Sequence, residues 1–210
     1  MASESYFSDA ISEFARVMSV SSASPDADAV LVRASQRGDR EAFGYLYQRY
    51  APMVHGILLS KLPSAEVEDL VHEVFLRALS RLSGVRDASR FGGWLAAIAR
   101  NMANDYYRGL HTKNQSSEAG FDETSDVAPD SKTSSQAQQR EASEVLEIIR
   151  TLPEAYRETL VLRLVEGMTG PEIAIRTGLS HGSVRVNLYR GMQQLREKLD
   201  RKRTLAGSGK

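Results

Sequence analysis

Residues 167–199, GMTGPEIAIRTGLSHGSVRVNLYRGMQQLREKL, leave this part of the chain few ways to fold. Thr169 and Glu172 stand three apart, the spacing of a capping box, and a helix tolerates Pro171 only in its first turn. A short helix is therefore expected over residues 170–176. Gly178 supplies a turn, since positive φ costs glycine nothing. Ser180 or Ser183 caps a second helix, whose apolar stripe is Val184, Leu188 and Leu195. That leaves Ser183, Arg185, Val186, Tyr189 and Arg190 on or beside the outward face. Two helices joined in this way, the second rich in arginine, have the sequence form of a helix-turn-helix, whose second helix enters a DNA major groove. An ordinary helical hairpin with a basic, solvated face satisfies the same periodicity.

Charge favours the first reading. Over 210 residues, 27 basic and 27 acidic side chains cancel, yet from Arg176 onward nine Lys or Arg face only Glu197 and Asp200. Such a local excess is the footprint of phosphate contact. The run Arg201, Lys202, Arg203 alone would equally suit a solubilising end.

Upstream, apolar residues recur at helical spacing and nowhere alternate as in a strand, so the chain is expected to be all-α. In residues 39–62, Phe43, Leu46, Tyr47, Tyr50, Val54, Ile57 and Leu58 follow the helical period, with Pro52 expected to kink the helix. After Pro63, Ser64 is the expected cap of a helix whose buried face is Val67, Leu70, Val71, Val74, Ala78 and Leu82. Glu66, Asp69 and Glu73 lie on its other side. The stretch SGVRDASR breaks the period, and Phe91, Trp94, Leu95, Ile98 and Met102 begin a helix that ends at about Arg108. Residues 109–140 are rich in Ser, Gln and Asp, with five acids against three bases. They hold too little apolar surface to offset the entropy of ordering, and read as a linker. Residues 19–28, SVSSASPDAD, read as a shorter one. Beyond the long linker, Val145, Leu146, Ile148, Ile149 and Leu152 mark a helix. Pro153 opens the next, with Tyr156, Leu160, Val161 and Leu164 inward. The expected organisation is an N-terminal extension (1–27), a helical domain (28–109), a flexible linker (110–140), a second small helical domain containing the helix-turn-helix (141–204) and a tail (205–210). Within the extension, Phe7, Ile11, Phe14 and Met18 share one helical face. A helix so short is marginal alone and suits docking.

Several function classes are excluded. There is no cysteine, hence no disulfide, thiolate zinc site or cysteine nucleophile. His55, His72, His111 and His181 lack metal spacing, and no cofactor is expected. Neither a phosphate loop nor a nucleophile elbow occurs, and the adjacent acids Glu68 and Asp69 point apart on a helix, so an enzyme is not expected. No apolar stretch reaches membrane-spanning length, and MASESYFSDA lacks the basic start of a signal peptide. A soluble, cytoplasmic protein without membrane insertion is expected.

The helix over 91–108 has a polar face made of Asn101, Asn104 and Arg108, with Arg100 and Tyr107 alongside. Amides read base edges, arginine meets phosphate, and Phe91, Trp94 or the tyrosines can stack on unpaired bases. Asp105 fits such a face less well and orients a neighbouring arginine or caps the helix end. Trp94 also stands at core spacing, where packing explains it as well as stacking does.

Taken together, the blocks DAVLVRASQRGDREAFGYLYQRY, VEDLVHEVFLRALSRL and FGGWLAAIARNMANDYYR, then a polar linker, then LPEAYRETLVLRLVEGMTGPEIAIRTGLSHGSVRVNLYRGMQQLREKL, resemble the extracytoplasmic-function class of the bacterial sigma-70 family. That class keeps only regions 2 and 4. The resemblance covers about residues 28–109 and 141–200 and implies a promoter-specificity subunit. It implies that Asp69, Glu73, Phe75 and Leu76 grip the β′ coiled coil of core RNA polymerase, whose β subunit is also a partner. Phe91, Trp94, Arg100, Asn101, Asn104, Tyr107 and Arg108, with the loop 84–90, would then open the −10 element around a flipped base. Ser183, Arg185, Val186, Tyr189 and Arg190 would read the −35 element. The expected partners are core polymerase, promoter DNA and a cognate anti-sigma factor, and in this family the linker threads toward the RNA-exit path.

Three positions depart from the family pattern. Val186 replaces a small polar residue, which suggests contact with a thymine methyl or backbone. Gly191 replaces an alanine, costing about 1 kcal/mol of helix propensity. His181 replaces an apolar residue of the turn. A conventional regulator, binding duplex DNA as a dimer through the same helix-turn-helix, is the competing reading.

Overall fold

The computed structural model describes residues 25–115 and 133–207, and among these residues there are eight helices and no strand. In the first domain α1 spans Pro25–Gln36, α2 Arg40–Leu59, α3 Val67–Arg81 and α4 Phe91–Gln115. In the second, α5 spans Thr133–Arg150, α6 Glu154–Leu164, α7 Gly170–Thr177 and α8 His181–Gly207. The apolar stripes read from the sequence form the core. Leu46, Met53, Ile57, Val67, Val74, Leu95 and Ala99 are fully buried in the first domain, as are Leu160, Val161 and Ile173 in the second.

Several boundaries differ from the sequence reading. Pro25 opens α1, so the last four residues of the stretch 19–28 are helix, not linker. The reason lies in Asp28, which is 2% exposed. Its carboxylate accepts a hydrogen bond from the Tyr50 hydroxyl at 2.7 Å and pairs with Arg49, fastening α1 to α2. An Asp in a Ser-rich stretch gave no sign of these partners. Ser64 is not the cap of α3. Pro63 precedes a single 3₁₀ turn, Ser64–Glu66, and α3 follows at Val67 with no side-chain cap. Both ends of the stretch read as linker are helical, since α4 reaches Gln115 and α5 starts at Thr133. Residues 116–132 and the Phe7, Ile11, Phe14, Met18 stripe lie outside the described residues.

The two domains lie against each other in one continuous apolar cluster. Glycines let the helices approach. A Cβ on Gly56 of α2 would stand 2.7 Å from Leu162 of α6, and one on Gly92 of α4 would overlap the Arg176 carbonyl oxygen of α7. Polar contacts frame this seam. Arg150 donates to the carbonyl of Leu59, the last residue of α2, at 3.3 Å and to that of Leu62 just beyond it at 2.6 Å, placing a cation at the C-terminal end of the helix. Arg176 donates from Nη1 to the Arg49 carbonyl at 2.8 Å.

Candidate nucleic-acid interface

The helix-turn-helix forms as its residues dictate. The Thr169 backbone N–H donates to Glu172 Oε2 at 2.8 Å, and Glu172 N–H donates back to Thr169 Oγ1 at 3.4 Å. Partial burial pushes the Glu172 carboxyl upward, but the donors from Thr169 bring it below its usual range. Gly178 ends α7 in the left-handed region, φ 75°, and its N–H donates to the Ala174 carbonyl at 3.0 Å. Of the two candidate caps, Ser180 is the one used. Its hydroxyl accepts from Ser183 N–H at 3.0 Å, and the two serine hydroxyls lie 2.8 Å apart.

Val184 and Leu195 are 1% exposed and hold α8 to the domain, while Leu188 is half-buried. The opposite face carries Ser183, Arg185, Val186, Tyr189 and Arg190, all exposed, with Tyr189 at 74%. Arg185 and Arg190 make no ion pair among the described residues. Every side chain assigned to this face is therefore presented outward from one helix. Gly191 turns out to have a packing reason. A Cβ there would lie 3.0 Å from Leu160 and 3.2 Å from Tyr156, so the glycine sets the distance between α8 and α6.

On α4, Asn101, Asn104, Tyr107 and Arg108 are exposed, and Trp94 is half-buried against Phe91. Two asparagines and Arg108 border a polar pocket of about 330 Å³ whose other wall is Arg77 and Arg81 of α3, with Ile98 at its base. Sequence reading missed both arginines. They are the basic end of a helix whose acidic beginning drew notice, and only the α3–α4 packing brings them to the asparagines. Lys61 was missed as well. Its Nζ donates to Asn104 Oδ1 at 3.2 Å, and its carbonyl accepts from the Tyr107 hydroxyl at 2.7 Å. Loop 84–90 is fixed from below, because the Gln36 amide donates to the carbonyls of Leu82 and Val85 at 3.0 and 2.8 Å.

Two aromatic assignments need correcting. Phe91 is fully buried and meets Tyr50 edge-on at 5.2 Å, so it supports α4 from inside and has no face to offer a base. Phe75, 3% exposed, packs on Tyr47 at 4.5 Å and on Phe43 at 6.3 Å. It belongs to the core, not to the outer face of α3. That face instead shows Asp69, Glu73, Leu76 at 68% exposure and Leu79 at 48%. Leu79 escaped notice because its position is a single apolar residue outside the buried stripe. Arg100 is the third departure. Its guanidinium is taken up by Glu158 of α6 and is not turned to solvent.

The chain has well-defined relatives. Residues 46–112 match the Sigma-70 region 2 family, and residues 142–195 match Sigma-70, region 4. It is 32% identical to the ECF RNA polymerase sigma-E factor of Escherichia coli K12 over 179 residues, 82% of this chain and 94% of that one. It is 29% identical to the ECF RNA polymerase sigma factor BldN of Streptomyces coelicolor over 167 residues, 79% of this chain but 63% of that protein. Among solved structures, CnrH in complex with the cytosolic domain of CnrY superposes with a TM-score of 0.57 at 26% identity, covering 83% of this chain and 97% of that one. The sigma factor RpoE of Bartonella quintana, in complex with the anti-sigma factor NepR, shares the fold at a TM-score of 0.53 and 21% identity, covering 75% and 96%. With both sigma-70 regions matched in order, and with the helix-turn-helix in the second, the chain belongs to the ECF class of RNA polymerase sigma factors, which act in transcription initiation.

Proposed function

We propose that this chain binds core RNA polymerase through the outer face of α3, reads the −35 element with α8 and opens the −10 element with α4. The polymerase face is assigned to Asp69, Glu73, Leu76 and Leu79. Their exposed acids suit a basic partner, and the two leucines supply apolar area left open among the described residues. The −35 contacts are assigned to Arg185, Tyr189 and Arg190, with Ser183 at the helix start and Val186 on the groove side. The −10 contacts are assigned to Asn101, Asn104, Tyr107 and Arg108. Arg77 and Arg81 are assigned to phosphate at the pocket they share with the asparagines, and Trp94, half-buried on the same helix, to stacking. An extruded base shows its hydrogen-bonding edge to such amides. Melting is driven by binding, so the chain carries no chemistry of its own and acts where polymerase and DNA are, in the cytoplasm.

The observation carrying this reading is the separation of three exposed surfaces of different chemistry on three helices. A dimeric regulator, the competing reading, has no use for the acidic and apolar face of α3. An inhibitory protein partner follows from kinship, because CnrH was solved with a bound cytosolic domain of CnrY and RpoE with the anti-sigma factor NepR. The deciding experiment is co-elution with purified core polymerase without DNA. Stoichiometric co-elution lost on the double change Asp69→Lys, Glu73→Lys supports the assignment. Binding that survives the double change removes α3 from the polymerase interface.

A further inference from the structure

Lys61 follows α2 at a point where both of its backbone groups are tied down. Its N–H donates to the Leu58 carbonyl at 2.9 Å, and its own carbonyl accepts from the Tyr107 hydroxyl at 2.7 Å. The side chain is 9% exposed, unusual for a lysine, and its ammonium serves two helices at once. It pairs with Glu154 at the start of α6 and donates to Asn104 Oδ1 of α4 at 3.2 Å. Three N–H groups on one nitrogen allow both contacts together. Lys61 and Asn104 belong to the same domain, so their contact does not need the second one.

An ammonium donates and cannot accept, which settles the orientation of the Asn104 amide: oxygen toward Lys61, nitrogen away from it. Asn104 is exposed and borders the polar pocket between α3 and α4, whereas Lys61 reaches it from outside that pocket's wall. The amide is left with Nδ2, which has no partner among the described residues. The rest of the wall tilts the same way. Arg77, Arg81 and Arg108 only donate, and the Asp105 carboxylate is paired with Arg108 at 3.5 Å. A free asparagine offers a base both a donor and an acceptor, but this one is held to a donor's role.

We infer that Lys61 is a positioning residue that sets base preference at the −10 element. By holding Oδ1 it presents Asn104 as a hydrogen-bond donor, so the atom met on an extruded base is an acceptor. The inference rests on the assignment of Asn104 to the −10 element. Thymine O4 and guanine O6 accept where cytosine N4 and adenine N6 donate, so the selected base bears a carbonyl at that point. An amino group there would face Nδ2 donor to donor, with neither hydrogen bond made. Without Lys61 the amide is free to turn over and accept from the amino group instead.

The test selects, from a randomised single-stranded DNA library, the sequences bound by the full chain in complex with core polymerase. The best of them is then titrated with thymine exchanged for cytosine, or guanine for adenine, one position at a time. The parent should prefer the carbonyl base by about fivefold or more at one position, and Asn104→Ala should erase that preference. Lys61→Met, which keeps the apolar stem, should bring the two bases within about twofold by strengthening binding of the amino base. Lys61→Arg should keep the parent's ratio. Because the ratio compares two ligands of one protein, any loss of folded or docked protein cancels from it. Equal weakening of both bases in Lys61→Met, or a ratio unchanged there but erased in Asn104→Ala, overturns the role of Lys61 alone. A preference that survives Asn104→Ala, or no carbonyl preference at any position, overturns the assignment of Asn104 and this inference with it.

Discussion

Arg100 and Glu158 join the two domains by a paired contact, Nε to Oε2 at 2.9 Å and Nη2 to Oε1 at 2.7 Å. The arginine belongs to α4, the helix of the two asparagines, and the glutamate to α6 beneath the helix-turn-helix. The Glu158 side chain is 9% exposed and that of Arg100 27%, so the pair is well shielded and both bonds are charge-assisted. Its hydrogen bond to Glu158 holds the Arg100 guanidinium above its usual pKa, against the effect of burial. Glu158→Ala should weaken the docking of the domains by about 2–3 kcal/mol, mostly through the unpaired cation left behind. A double-mutant cycle with Arg100→Met, read by denaturant unfolding, should show strong coupling. The same change should tighten binding of a single-stranded −10 oligonucleotide, because Arg100 is released to phosphate.

The seam is as sensitive to volume as to charge. Gly92 has the Arg176 carbonyl oxygen on one side and Tyr50 Cε1 on the other, 2.9 Å from where a Cβ would be. Neither a backbone carbonyl nor a core tyrosine yields easily. Gly92→Ala should therefore cost about 1–3 kcal/mol despite improving helix propensity. Small-angle scattering should show a larger radius of gyration for this variant, with helix content by circular dichroism unchanged.

Neighbouring residues on α3 should separate stability from polymerase binding. Phe75 packs against two aromatic rings, and Phe75→Ala should destabilise the protein by about 3–5 kcal/mol. Leu76, 68% exposed, has little to lose in the free protein. Leu76→Ala should change stability by less than about 0.5 kcal/mol and yet weaken core polymerase binding severalfold. Thermal melts and polymerase titrations on both variants check the assignment.

The pattern of legibility follows from the range of the interactions concerned. The capping box at Thr169, the left-handed Gly178 and the stripes of α3 and α4 rest on contacts three or four residues apart, and each was readable. Periodicity also told apart the two sides of α8. It failed where a residue sits near the border of a stripe: Phe91 and Phe75 are aromatic and next to polar faces, but a rotation of one position decides between core and solvent. It failed wholly at the seam. Arg100 is 58 residues from Glu158, and Arg77 shares a pocket with Asn101 only because α3 and α4 pack side by side. Asp28 looked like part of a linker for the same reason, its partners being Arg49 and Tyr50 on another helix.

A titratable contact crosses the seam as well. His55 Nδ1 of α2 lies 2.6 Å from Glu166 Oε1 in the α6–α7 turn, and this hydrogen bond raises the histidine above its ordinary 6.5. Burial opposes the rise, while the charges of Glu166 and Glu68 add to it. A raised folded-state value means the contribution is complete below pH 6.5 and is lost as pH climbs through the raised value. Docking of the domains should thus loosen as pH climbs above 6.5 through the raised value. His55→Gln should flatten that dependence, which scattering or hydrogen exchange at the seam would register.

On α8 the sharpest test separates base from phosphate. Arg185 and Arg190 extend from the same exposed face, on either side of Val186 and Tyr189. If Arg185 contacts a base edge, Arg185→Ala should cost about 1–3 kcal/mol on the preferred −35 duplex and relax discrimination at one base pair. If it contacts phosphate, the loss should be uniform across −35 variants, with a salt dependence shallower by about one charge. Tyr189→Phe should be nearly silent if the ring alone packs against sugar and backbone, while Tyr189→Ala should not. Anisotropy titrations of the polymerase-bound protein against single-base-pair variants of one −35 duplex, at two salt concentrations, give each answer from the same data. Uniform loss for both arginines, with unchanged base preference, would move sequence reading away from the two arginines and onto Ser183 and Val186 of the same face.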